Sequence, residues 1–316
     1  MKNKIKMLVN EFSWSHSRDR LFSECQLKYY YHYYGSWGGW EKNASERIRK
    51  LYVLKNLTNR KMWVGTVVHK TIESLLSKIK NGEILDTFEN INSEMIESMR
   101  KDYKNSVDGK YNNNPKQYCG FSEHVYFEPV SRSEWKEISE QAEHCLRVFW
   151  NSDLFEKFKS TDAQYILEIE KLSYFMLDGI KVYVSPDYCV IEDGLVNVYD
   201  WKAGKTLSDA TDAQLACYAL YASQTWGVEA ELLRLVEYNL YHDVIKEHHC
   251  DGVDFKGIKE QIFESVVKMK SLLMDAEGNM ALEESFKPAE DKRVCTRCKF
   301  RGACNSYEME TAEAAA

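Results

Sequence analysis

Two acids and a lysine lie close enough along this chain to do metal chemistry. Pro186-Asp187 precedes Asp200-Trp201-Lys202, with 13 positions from one acid to the other. Between them, Asp193-Gly194 is a strong hairpin signal. Side chains two apart on a strand face the same way, so Asp200 and Lys202 project together and the hairpin brings Asp187 beside them. Two carboxylates and an amine on one sheet edge make a hard-oxygen site for Mg²⁺ or Mn²⁺. His69 offers a nitrogen ligand, which favours Mn²⁺ as the alternative to Mg²⁺. Phosphodiester hydrolysis needs such a centre: the metal makes water a better nucleophile and offsets charge on the phosphoryl oxygens. The lysine aligns the attacking water and steadies the transition state. A lone D-x-K is usually an exposed ion pair, and a lone Pro-Asp a turn. Their order is what is specific: histidine, acid, then D-x-K across one hairpin.

Thiols form a second set. Cys295, Cys298 and Cys304 make C-x2-C-x5-C, and a fourth candidate, Cys25, stands near the opposite end. By spacing alone this set suits Zn²⁺ or an iron–sulfur cluster. Nine cysteines is an odd number in a long chain, which argues against a disulfide framework. Cys119, Cys145, Cys189, Cys217 and Cys250 are scattered singly in mostly apolar surroundings and read as core packing.

The elements that must position these groups follow from periodicity. Residues 12–34 read as a helix, with Cys25 on its buried stripe, ending at Gly35, Gly38 and Gly39. Val68, Ile72, Leu75, Leu76 and Ile79 mark a second amphipathic helix over 64–80, with His69 at its edge. Residues 102–133 lack periodicity and read as a long loop or lid, before helical spacing returns over 134–158. Residues 164–201 read as three or four strands separated by Asp178-Gly179 and Asp193-Gly194. A helix over 209–224, strands near 231–241 and 244–249, and a helix over 258–274 complete an α/β chain with a mixed sheet.

Composition narrows the function classes. The 316 residues are 44% hydrophobic with 4 Pro, which excludes wholesale disorder. No run of 18 apolar residues and no charged-then-apolar leader occur, so the expectation is a soluble cytoplasmic protein with no membrane partner. A net charge of −7 argues against a general electrostatic DNA coat. A local basic strip remains, since residues 41–61 carry seven basic side chains against two acidic ones.

On these residues the chain resembles the PD-(D/E)XK nuclease superfamily, and within it the RecB-like branch. Asp200-Trp201-Lys202-Ala203-Gly204-Lys205 looks like that branch's D-[WY]-K-[TA]-G element, and Gln214 to Tyr218 like its Q-x3-Y element. Gly65-x3-His69 is similar to its upstream histidine helix. Cys25 followed by the nuclease motifs and then by Cys295, Cys298 and Cys304 resembles the group that holds a [4Fe–4S] cluster. That group includes the AddB nuclease domain and the CRISPR-associated RecB-like exonucleases. The stretch from Ser13 through Cys25 to Tyr31 is also similar to theirs, with Gln26 where they carry proline.

The resemblance implies a restriction-endonuclease-like mixed sheet flanked by helices, in one domain spanning 1–316. Its parts would be a helical segment 12–80, an insertion 81–163, a catalytic core 164–250 and a C-terminal part 251–316. It implies a metal-dependent deoxyribonuclease, an exonuclease on single strands or DNA ends, in recombination, repair or anti-phage and CRISPR-type processing. A helicase or an integrase-type protein would be its partner. Asp187 and Asp200 would hold the metal, helped by His69 and the Trp201 carbonyl, while Gln214 and Tyr218 position Lys202 and the DNA. Glu170 sits where these nucleases place an early acid, with Glu168 two residues away on the same expected face. Tyr29–Tyr34, Trp37 and Trp40 are the aromatic candidates for base stacking. The rival class is a non-catalytic nucleic-acid-binding or assembly subunit, which would have no need of Asp187, Asp200 and Lys202.

Overall fold

The computed structural model describes residues 8–207, 212–250 and 254–307. In chain order come helices α1 (His16–Glu24), α2 (Gln26–Tyr30), α3 (Glu46–Lys55), α4 (Arg60–Lys80), α5 (Phe88–Val107), α6 (Ser122–Val125), α7 (Arg132–Trp150) and α8 (Asp153–Lys159). Strands β1 (Ile166–Ile169), β2 (Ser173–Leu177), β3 (Ile180–Val184), β4 (Tyr188–Glu192) and β5 (Leu195–Lys202) follow. The chain continues through α9 (Asp212–Trp226), β6 (Leu233–Asn239), β7 (Val244–His249), α10 (Phe255–Lys270) and α11 (Arg293–Thr296). Internal contacts divide this chain into two units, one of residues up to 56, 176–182 and from 259 onward, the other of 57–175 and 183–258.

The larger unit is built on a five-stranded sheet in the order β1-β4-β5-β6-β7. Only the β5–β6 pair is parallel, so the sheet is mixed as the sequence led us to expect. Asp193 and Gly194 both take positive φ (53° and 79°), which closes the β4–β5 hairpin, and Asp178-Gly179 closes β2–β3 in the same way. Such φ values suit glycine and are tolerated by aspartate, which explains why Asp-Gly recurs at both bends. One sheet face carries Tyr188, Tyr199, Trp201, Val236 and Tyr238, packed in a common core with α4, α5, α7 and α8. Helix α4 supplies Val64, Val68, Ile72, Leu75 and Leu76 to it. The expected segment 81–163 therefore contributes helices to the main core. Within 102–133, residues through Val107 continue α5 and α6 covers 122–125. The rest of that stretch is anchored rather than lid-like: Phe121 is fully buried, and its N–H donates to Ser106 Oγ at 2.8 Å.

The smaller unit corrects the first helix. Cys25 has φ −166° and ψ 116°, so the stretch expected as one helix over 12–34 is two helices broken at the cysteine. Its N–H still closes α1 on Leu21 O, while its Sγ accepts the Lys28 N–H at 3.4 Å and caps α2. A cysteine in that role turns out of the helical stripe; it is half-buried, not core. A π-helical turn, Tyr31–Gly35, follows. The tyrosine run is mainly structural: Tyr29 and Tyr31 are fully buried, in ring contact with Phe286 and Phe300 respectively. Buried Arg18 lies 4.1 Å from the centre of the Tyr33 ring and donates to Tyr29 and Tyr34 hydroxyls. Trp37 and Trp40 pack edge to face at 5.0 Å. The basic strip is partly committed as well, since Arg47 pairs with Glu283 and Arg49 donates to Gly39 O.

Candidate active site

Asp187 immediately precedes β4, and Asp200 and Lys202 close β5. The hairpin places Tyr188 opposite Tyr199, so Asp187 falls beside the end of β5. Its Oδ2 accepts the Trp201 N–H at 2.5 Å, and its own N–H donates to Tyr199 O at 3.2 Å. One acid thus fixes the backbone between the other acid and the lysine.

His69 reaches this corner from α4. Its Nδ1 lies 3.0 Å from Glu170 Oε1 and 3.4 Å from Asp187 Oδ1, and its Nε2 lies 3.0 Å from Trp201 O. Acceptors on both ring nitrogens call for an imidazole protonated at both. Burial opposes that charge, but Asp187 and then Glu170 outweigh it and raise His69 to about 11. Burial likewise pushes the Asp187 carboxyl up, against the pull of His69, with Asp200 and Glu170 adding to the rise.

Glu170 and Glu168 do not share a face. Glu170 has φ +43°, and β1 is irregular between Ile166 and Glu168. The left-handed residue turns Glu170 toward His69, while buried Glu168 accepts from Tyr221 at 2.7 Å, Lys171 at 2.9 Å and Ser173 at 3.2 Å. Strand alternation had put them together; the backbone turn at the strand end separates them.

Asp200 is 4% exposed and pairs through Oδ2 with the Lys202 ammonium. Helix α9 closes over its other oxygen: Gln214 Nε2 donates to Asp200 Oδ1 at 3.1 Å, and the Tyr218 hydroxyl lies 3.4 Å from the same atom. Gln214 also donates to the Tyr218 oxygen at 2.9 Å, and Tyr218 donates to Ser185 O at 3.2 Å. The four-residue spacing therefore works as expected for a helix, but the pair hold Asp200 and not Lys202. Burial, then Asp200 and Asp187, keep the Tyr218 phenol far above its ordinary value and so neutral.

Three supporting residues carried no motif. Gln141 donates to Ala203 O at 2.7 Å, Asn239 to Gly204 O at 3.3 Å, and His242 to Lys205 O at 2.8 Å. Together they pin the loop after β5. They come from α7, β6 and the turn beyond it, so only folding brings them to residues 203–205.

The donor set fits a hard divalent cation. One ligand atom each from His69, Glu170 and Asp187 lie within 4.8 Å of one another, with the Trp201 carbonyl next to the histidine. Mixed oxygen and nitrogen donors suit Mg²⁺ or Mn²⁺. A dication would take the place of one imidazole proton: His69 must give up the proton on the nitrogen that ligates, and the ion then supplies the positive charge to these carboxylates.

The cysteines make a separate place in the smaller unit. No disulfide joins any of the nine. Cys25, Cys295, Cys298 and Cys304 line one cavity of about 20 Å³, with Lys28, Lys292 and Arg301 among its other walls. Cys298 Sγ accepts the Phe300 N–H at 3.4 Å. Burial pushes the Cys298 thiol up to about 11, and Cys25 and Cys304 push the same way. The four cysteines share this lining, two of their sulfurs accept backbone N–H groups, and thiolates of this kind suit an iron–sulfur cluster or Zn²⁺. The five remaining cysteines sit apart from this cavity; Cys145, Cys189, Cys217 and Cys250 are buried.

Comparison with known proteins bears on the same residues. No curated protein matches the chain. A solved structure described as "Crystal structure of SSO0001" aligns at 18% identity over 59% of this chain and 82% of that one, with a TM-score of 0.28. The family described as the PD-(D/E)XK nuclease superfamily matches residues 13–305, a span that contains His69, Glu170, Asp187, Asp200 and Lys202. The chain belongs to the PD-(D/E)XK nuclease superfamily.

Proposed function

We propose that the protein is a metal-dependent deoxyribonuclease of the RecB-like kind, an exonuclease working on single strands or DNA ends. The observation that carries this reading is the convergence of His69, Glu170 and Asp187, with Asp200 and Lys202 at the next corner of the same hairpin. Bound Mg²⁺ or Mn²⁺ would activate water and neutralise charge on the phosphoryl group. Asp187, Glu170, His69 and the Trp201 carbonyl would hold that ion, with Asp200 completing the set. Gln214 and Tyr218 keep Asp200 oriented, and a neutral phenol beside it adds no competing charge. Lys202 Nζ, freed from Asp200 as the substrate enters, carries the positive charge that meets the scissile phosphate.

We infer a [4Fe–4S] cluster on Cys25, Cys295, Cys298 and Cys304, serving a structural role. The order of one early cysteine and three late ones supports it, as do the N–H groups aimed at two sulfurs. The same motif order supports work in recombination, repair or anti-phage and CRISPR-type DNA processing, beside a helicase or integrase-type partner. Among the described residues no helix is long and apolar enough to cross a membrane.

The test is cleavage of end-labelled single-stranded and duplex DNA with Mn²⁺ or Mg²⁺, against an Asp200→Ala control. Metal-dependent shortening from ends, absent in the control, supports the reading. Tight binding without cleavage in either metal would leave the non-catalytic subunit in its place.

A further inference from the structure

The chain carries more acid than base, 49 residues against 42, yet one cleft of the larger unit reverses that balance. It has a volume of about 650 Å³ and lies between α5 and the first turns of α7. Three aromatic residues, Trp63, Tyr103 and Trp135, and three cations, Arg100, Arg132 and Lys136, line it, and no acid does.

The rings are arranged as a wall. Tyr103 and Trp135 meet edge to face at 5.0 Å, and Trp63 stands 6.4 Å from Trp135. Tyr103 is 38% exposed, unlike fully buried Tyr29 and Tyr31. Three acids adjoin these residues in sequence, and none lines the cleft: Asp102 accepts the Nε1–H of Trp63, a ring of the wall, at 3.1 Å, Glu134 pairs with Arg60, and Glu137 lies outside the lining. Among the described residues, the side chains of Arg100 and Arg132 form no ion pair or hydrogen bond. Lys136 pairs with Glu140 at 2.9 Å, but both are exposed, so the pair is weak and a phosphate can displace it. Folding has placed two unpaired guanidinium groups beside the open ring of Tyr103 and the half-buried ring of Trp135, backed by buried Trp63, with no acid in the lining to satisfy them.

Aromatic faces with unneutralised arginines suit a ligand that is planar and anionic by turns. Unpaired nucleotides have that chemistry: bases stack on rings, and phosphates meet the guanidinium groups. We propose that this cleft is a second nucleic-acid site, which binds an unpaired stretch of a DNA strand away from His69 and the two aspartates. It uses none of the residues of the hairpin corner and does not require the protein to cleave what it holds. A duplex fits less well, because its bases are stacked on one another and present only edges.

The experiment is fluorescence anisotropy of a labelled oligo-dT strand on the full-length protein in EDTA, where no cleavage occurs. Arg100→Ala combined with Arg132→Ala removes two exposed side chains, and Tyr103→Leu removes one ring while keeping bulk. The arginine pair should weaken binding on the order of tenfold or more and reduce the slope of log affinity against log salt by about 1.4. Tyr103→Leu should weaken oligo-dT roughly tenfold but leave an abasic strand of equal length unaffected. Thermal midpoints near that of the native protein show that the variants fold. Native-like oligo-dT affinity in folded variants overturns the proposal, and so does equal affinity of the native protein for abasic and oligo-dT strands. Metal-dependent cleavage with native-like binding in the variants sinks the cleft alone. Cleft-dependent binding without cleavage sinks the nuclease reading alone.

Discussion

The Asp187 carboxylate holds the Trp201 amide at 2.5 Å, so the acid before β4 fixes the residue between Asp200 and Lys202. This bond joins the two halves of the hairpin at the point where their chemistry meets. It also means that Asp187 carries a structural load that its charge does not reveal.

Asparagine and alanine should therefore differ at this position. Asp187→Asn keeps an oxygen for the Trp201 N–H and should fold, yet lose metal-dependent cleavage. Asp187→Ala leaves that buried donor unpaired, at a cost of about 1–3 kcal/mol relative to asparagine. Urea unfolding of the two variants, read against the cleavage assay, separates the roles. Equal stability would show that the bond is dispensable.

Lys202→Ala should reduce single-turnover cleavage by about 10²–10³-fold while leaving DNA affinity nearly unchanged. The charge is needed more in the transition state than in the bound ground state. A parallel loss of affinity in an anisotropy titration would contradict this assignment.

Gln214 and Tyr218 touch Asp200 from α9 and belong to its supporting shell. Gln214→Ala should lower metal affinity by about 10–100-fold, with activity recovering at high Mn²⁺. Activity that stays low at saturating Mn²⁺ would instead place Gln214 on the substrate.

Cys25→Ser should bleach the broad visible absorbance expected of an iron–sulfur protein and lower the thermal midpoint. The serine can still cap α2, so the loss reports on ligation and not on the helix start. Unchanged colour and midpoint would remove Cys25 from the ligand set.

His32 gives a pH dependence that is independent of the hairpin corner. Burial first, then Lys55, Lys299, Arg18 and Lys28, lower its pKa from 6.5 to about 2, and its Nδ1 has no hydrogen-bond partner. The folded chain keeps the ring neutral, whereas the unfolded chain takes up a proton below pH 6.5. Its contribution is therefore complete above 6.5 and falls as the pH drops toward 2. Between pH 7.5 and 5 the loss from this ring is about 2 kcal/mol. His32→Gln should flatten the acid limb of a stability-versus-pH curve by that amount, and an unaltered limb would refute the assignment.

Some of this protein was legible in the order of its residues. Asp-Gly at 178–179 and 193–194 fixes two hairpins locally, because few residues accept positive φ. Period-two alternation then puts Asp200 and Lys202 on one side, and a four-residue helical spacing aligns Gln214 with Tyr218. The regular periodicity of α4 located His69 on its edge. These are short-range rules, and the chain obeys them wherever the backbone stays regular.

Where the backbone leaves its regular path, the tertiary structure decided. Glu170 parts from Glu168 because one left-handed residue ends β1, and Cys25 breaks a helix whose apolar stripe continues across it. Gln141, Asn239 and His242 meet the loop after β5 across 35 to 62 positions of sequence. Aromatic residues show the same division, since Tyr29 and Tyr31 of a crowded run became core while well-spaced Tyr103 and Trp135 line an open, basic cleft. Residue type and local spacing specify what chemistry a chain can do. Which groups are buried, paired or left facing solvent depends on long-range packing, and that is settled only when the helices and the sheet close on one another.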